Sequence, residues 1–99
     1  MGSRLELQSL LEGITENVYF QPPINIEMQY PCIIYHRDES RSEFADNRPY
    51  ARTKRYQITV VDRNPDSELP DVVEDLPYCS FNRHFSAENL NHYVFTLFF

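Results

Sequence analysis

The chain has two glycines, two cysteines and no tryptophan in 99 residues. With so little glycine, a phosphate cradle built from backbone amides is nearly excluded, and no glycine-rich phosphate loop, nucleophile elbow or His-Glu-x-x-His helix occurs. Cys32 and Cys79 make neither a disulfide framework nor a metal-ligand spacing. They are expected to be buried thiols in a reducing cytoplasm. No apolar run is long enough to cross a bilayer as a helix, and no basic start with an apolar middle marks a signal peptide. The expectation is a soluble product that stays where it is made. Positive charge is also scarce: nine Lys and Arg stand against fifteen Asp and Glu, a net charge of −6. An acidic chain repels phosphate backbones, which argues against ordinary nucleic-acid binding.

What the chain does have is aromatic residues, seven Tyr and seven Phe, within a hydrophobic fraction of 41%. That fraction predicts a folded protein, and the aromatics suit strands, where large side chains pack on a pleated surface. Residues 1–99 fit a single domain with a modest core, a size at which docking against partners or further copies adds useful stability.

The first element reads as a helix. Ser3 with Glu6 forms a capping box, and Leu7, Leu10, Leu11 and Ile14 recur at the spacing of one buried face. Gly13 helps to stop it. Residues 17–21 read as a short strand ended by Pro22 and Pro23. After an irregular connection over 24–30, a strand over 31–37 puts Cys32, Ile34 and His36 on one face and Ile33 and Tyr35 on the other, which predicts cover on both sides. The stretch 38–53 lacks hydrophobic periodicity, and the strand that follows it, 54–62, turns Tyr56, Ile58 and Val60 inward. Together they predict a long hairpin whose tip projects from the body.

Asn64, Pro65 and Asp66 are turn residues leading to a second helix, with Leu69, Val72, Val73 and Leu76 as its buried stripe. Asp66 or Ser67 is the expected cap and Pro77 the stop. Its polar face carries Asp66, Glu68, Asp71, Glu74 and Asp75. Two strands close the chain, 78–85 and 90–99, joined by residues 86–89. The last is apolar on both faces and must be central or lie against a partner. The order helix-strand-strand-strand-helix-strand-strand defines an α+β fold, a mostly antiparallel sheet packed with two helices.

Catalytic chemistry is hard to assemble from these residues. Cys79 and His84 lie five apart on one strand, and odd spacing sends them to opposite faces. Cys32 and His36 share a face but sit about 13 Å apart at ~3.3 Å per residue. A zinc site drawing on Cys32, Cys79, His36 and His84 lacks the short ligand pairs of structural zinc, so buried thiols and edge histidines are the favoured reading. The acidic second helix lacks the dense alternation of a calcium loop and reads as a solvated face. The one basic cluster, Arg48, Arg52, Lys54 and Arg55 around Tyr50, is better read as a hairpin stem holding salt bridges than as a nucleic-acid patch. The expectation is therefore a protein that is not an enzyme and that uses no cofactor or metal.

The runs Tyr30-Pro31-Cys32-Ile33-Ile34-Tyr35 and Lys54-Arg55-Tyr56-Gln57-Ile58-Thr59-Val60-Val61-Asp62 are similar to stretches of a family of small tailed-phage proteins. Leu76-Pro77-Tyr78-Cys79-Ser80-Phe81-Asn82-Arg83-His84-Phe85 and Asn89-Leu90-Asn91-His92-Tyr93-Val94-Phe95 share the resemblance. Over nearly its whole length the chain resembles the tail-terminator, or tail-completion, proteins of long-tailed bacteriophages. The resemblance implies a structural protein of the virion tail, assembled in the bacterial cytoplasm. Its partners would be further copies in a ring, typically a hexamer, the tail-tube protein beneath and the head–tail connector above. DNA would pass through the ring without being specifically bound, and no membrane is involved.

A DNA channel is well served by acidic or neutral lining. Candidates for it are Glu39 and Glu43 in the long stretch and Asp71, Glu74 and Asp75 on the second helix. Candidates for subunit or tube contacts are Phe44 and Tyr50 as anchors with Arg48 and Arg52 as charged partners. Exposed strand edges are further interfaces, since an unpaired edge is a template for another chain. The alternatives are a head–tail joining protein, a small host-directed binding module acting one to one, and a cryptic Cys/His metalloenzyme.

Overall fold

The computed structural model describes residues 3–23, 27–38 and 54–99. Two helices and five strands follow in the order α1 (Arg4–Glu12), β1 (Val18–Phe20), β2 (Cys32–Arg37), β3 (Arg55–Asp62), α2 (Leu69–Glu74), β4 (Cys79–Ala87) and β5 (Leu90–Phe98). The strands form one sheet ordered β1-β2-β3-β5-β4. Only the β1–β2 pair is parallel; the other three are antiparallel. This is the α+β arrangement expected, with every element in the expected order.

The capping box forms as read: Glu6 N–H donates to Ser3 Oγ at 3.1 Å and Ser3 N–H to Glu6 Oε1 at 2.7 Å. Leu7 and Leu11 are fully buried, each contributing roughly 1.5–3 kcal/mol. Leu10 departs from the expected stripe, being 40% exposed. It sits about 60° round the helix from Leu7, at the margin of the arc that Leu7, Leu11 and Ile14 bury. Gly13 caps the helix at φ −73°, an ordinary right-handed conformation, so weak helix propensity, not a need for positive φ, explains the glycine.

The register fixes which side chains share a face. Ile33 and Tyr35 on β2 align with Val60 and Ile58 on β3, which in turn face Tyr93 and Phe95 on β5. Those positions, with Tyr56, Leu97 and the helix residues Leu7, Leu11 and Val73, make the main core, so both helices cover the same side of the sheet. The other side is partly closed as well. Cys32, Val61 and Val94 there are buried, as expected of strands apolar on both faces. Beside them Gln29 N–H donates to Tyr19 Oη at 3.1 Å, and the Arg63 guanidinium lies 5.7 Å from the Tyr30 ring.

Strands β2 and β3 are the stem of the expected hairpin, closed by Asp38 N–H donating to Arg55 O at 2.8 Å and by the Arg55–Asp38 ion pair at 3.5 Å. Its tip falls outside the described residues. The apolar C-terminal strand is an interior one, β5, held between β3 and β4.

Helix α2 is shorter than expected and buries Pro70 and Val73. Val72 is 44% exposed, because a residue one step from Val73 turns about 100° away and Pro70 takes its place in the core. The expected side-chain N-cap is replaced by Glu68, which makes no capping bond, although Ser67 Oγ accepts from Leu69 N–H at 3.2 Å. The last connection is also tighter. Ala87 pairs with Leu90, and Glu88 and Asn89 alone make the turn at φ 54° and 65°, the doubly positive pattern that matches hairpin twist.

Candidate functional site

With β4 the outermost strand, its free side is bonded by nothing among the described residues. The opposite border, β1, is only three residues long, and its Val18 carbonyl already accepts from Gln8 Nε2 of α1 at 3.5 Å. The sheet thus has one short, occupied border and one of nine residues that is open. An open border of that length is a template for another strand.

The side chains along β4 are unusual for a solvated edge. After Cys79 every residue to Ala87 is exposed, Phe81 and Phe85 among them, and Tyr78 just before the strand is 82% exposed at φ 61°. A bulky residue rarely takes that backbone conformation, so the chain holds an aromatic outward at a conformational cost. Cross-strand rings steady the edge: Phe81 meets Phe95 edge-on at 5.6 Å, His84 stacks on Tyr93 at 4.6 Å, and Phe85 lies nearly parallel to His92 at 4.6 Å. The Arg83 guanidinium lies 5.7 Å from the Phe85 ring.

One irregularity reverses an expectation. The register shifts between Phe81 and Arg83, making Asn82 the extra residue of a β-bulge. Cys79 faces Leu97 and His84 faces Tyr93, so the two share the helix-covered side despite their odd spacing. Cys32 and His36 lie on the other side of the sheet, opposite Val61 and Gln57, so the four side chains do not converge. Burial pushes the Cys79 thiol up to about 11, with Glu74 adding to the effect. Burial likewise raises Cys32 to about 11, with Asp62 adding. Both shifts favour the protonated thiol, the opposite of what activates a cysteine nucleophile.

Between α2 and the β4–β5 hairpin runs a groove of about 350 Å³, lined by Pro70, Asp71 and Glu74 on the helix side and by Phe81, His84, Tyr93 and Phe95 on the sheet side. Asp71 and Glu74 are exposed there, as is Asp75, which caps the helix. Of the residues singled out from sequence, Asp71, Glu74 and Asp75 thus lie together on α2. Glu39, Glu43, Phe44, Arg48, Tyr50 and Arg52 lie outside the described residues. Sequence reasoning identified strand edges in general without singling out β4, and it missed the groove, whose aromatic wall is assembled across two strands.

Among the described residues, fold and site together define a small α+β fold with one open sheet border and an aromatic groove beside it. Compared with family models, with curated proteins and with solved structures, the chain matches none.

Proposed function

We propose that this chain is a non-catalytic assembly protein that joins neighbouring chains along the β4 edge. The observation that carries the reading is the nine-residue open border with Tyr78, Phe81 and Phe85 exposed along it. Main-chain bonding along such an edge supplies affinity, and outward aromatics supply desolvated anchors.

The resemblance to tail-terminator proteins supports a more particular form of the proposal. The chain would close into a ring, hexameric in that family, at the head-proximal end of a phage tail tube. There it would end tube growth and present a surface to the head–tail connector. A net charge of −6 per subunit suits a ring through which DNA passes without sticking. The exposed acids of α2, Asp71, Glu74 and Asp75, are the described candidates for the channel lining.

Light scattering after size exclusion tests this, on the chain alone and mixed with tail-tube protein. A ring in either setting, lost in a Phe85→Lys variant whose thermal unfolding is unchanged, is the expected result. A chain that stays monomeric in both settings overturns the terminator reading and moves it to a head-joining or host-directed module.

A further inference from the structure

The groove between α2 and the β4–β5 hairpin combines two walls of different chemistry. Phe81, Phe95, Tyr93 and His84 form an aromatic wall, arranged as an edge-on pair and a stacked pair. The facing helix contributes two carboxylates, Asp71 and Glu74, three residues apart and so on one helical face. An anion is repelled by those carboxylates. A purely apolar occupant fits the rings but offers the two carboxylates no partner. A hard metal ion finds only two carboxylates, too few oxygen ligands, and no group of three or more candidate ligands exists among the described residues. A cation with an organic, flat body satisfies both walls: it stacks on ring faces and bonds the carboxylates at its edge.

We propose that this groove is a receptor for an arginine side chain presented by a partner protein. Arginine fits better than lysine because its planar guanidinium stacks on aromatic rings while its fork of donors engages carboxylates. The site is complete within one chain, so it stands whether or not the chain forms a ring. Occupancy would take Asp71 and Glu74 out of any channel lining and leave Asp75 for that role.

The test is an NMR titration of the full chain with a blocked Gly-Arg-Gly tripeptide, and separately with its isosteric neutral analogue carrying citrulline. The expected result is saturable shifts of the His84 and Tyr93 ring signals and of the α2 amides with the arginine peptide only. Affinity should fall about tenfold or more in an Asp71→Asn, Glu74→Gln double variant, the loss of a charge-assisted contact. It should hold in Gln57→Ala, which alters the opposite side of the sheet, away from both the groove and the β4 edge. Equal binding of the citrulline peptide, undiminished binding by the double variant, or no saturable shift at these residues would each overturn the proposal.

Discussion

Tyr35 on β2 donates its hydroxyl hydrogen to Oε1 of Gln8 on α1, and the same hydroxyl accepts from Arg4 Nη1 at 3.3 Å. Gln8 also donates to Glu12 Oε2 at 3.0 Å, so one glutamine ties the helix to itself and to the sheet. Tyr35→Phe leaves the ring packing in place and strips this junction of its centre. The expected loss is about 1–2 kcal/mol, since two intramolecular hydrogen bonds meet at that hydroxyl. Urea unfolding of Tyr35→Phe, Gln8→Ala and the double variant checks it. The two single losses should sum to more than the loss in the double variant, because they share one bond.

Tyr56, another large ring of the core, sets the opposite expectation. Its side chain is fully buried and its hydroxyl finds no hydrogen-bond partner among the described residues. Burial raises its pKa, outweighing the nearby Arg37. Tyr56→Phe removes a desolvated polar atom and keeps the shape, so the melting temperature should stay level or rise. A loss as large as that of Tyr35→Phe would show that the hydroxyl is bonded after all.

The two thiols link stability to alkaline pH. Each is raised from 9.0 to about 11 in the folded chain, so the folded form holds its protons where the unfolded form has released them. That contribution is fully present below pH 9 and is lost as pH climbs towards 11. A Cys32→Ala, Cys79→Ala variant should lose less stability than the parent between those limits. Thiol labelling of the parent at neutral pH should be slow and should speed up on unfolding.

Tyr78 should separate folding from association. Its positive φ suits glycine, so Tyr78→Gly relieves backbone cost and should hold or raise stability, by up to about 1 kcal/mol. The same change removes an aromatic that is 82% exposed and should weaken binding at the β4 edge. Parallel urea curves and light scattering measure the two effects. A variant that gains stability and assembles as before would remove Tyr78 from the interface.

Much of the fold was legible because its signals are local. The Ser3–Glu6 box announces α1, and the alternation of Tyr56, Ile58 and Val60 announces β3 and its inward face. The apolar pattern on both sides of β2 pointed to cover on both faces, and that of β5 to a strand either central or against a partner, which the sheet resolves as central. Misread features depend on partners distant in sequence. Leu10 and Val72 obey helical spacing, yet burial is decided by where the sheet lies beneath each helix. Asn82 carries no local mark of a bulge, so the faces of Cys79 and His84 came out reversed. The turn at Glu88 and Asn89 lacks the glycine that usually announces it. As for the site, the acids of α2 could be read from sequence, but the groove they border requires knowing that β4 and β5 pair.

The bulge at Asn82 also shapes the geometry that the open border offers to an added strand. An uninterrupted ladder takes any extended chain and goes on taking more, which is the route to fibres. Here the bulge bends and twists the strand partway along, splitting the border into two short landings that are out of step. An incoming strand must carry a matching extra residue or stop at the bend. On the proposal that β4 is the docking edge, the bend would work like a lock with one ward, admitting a dedicated partner and turning away the indiscriminate stacking that an aromatic-rich border would otherwise invite.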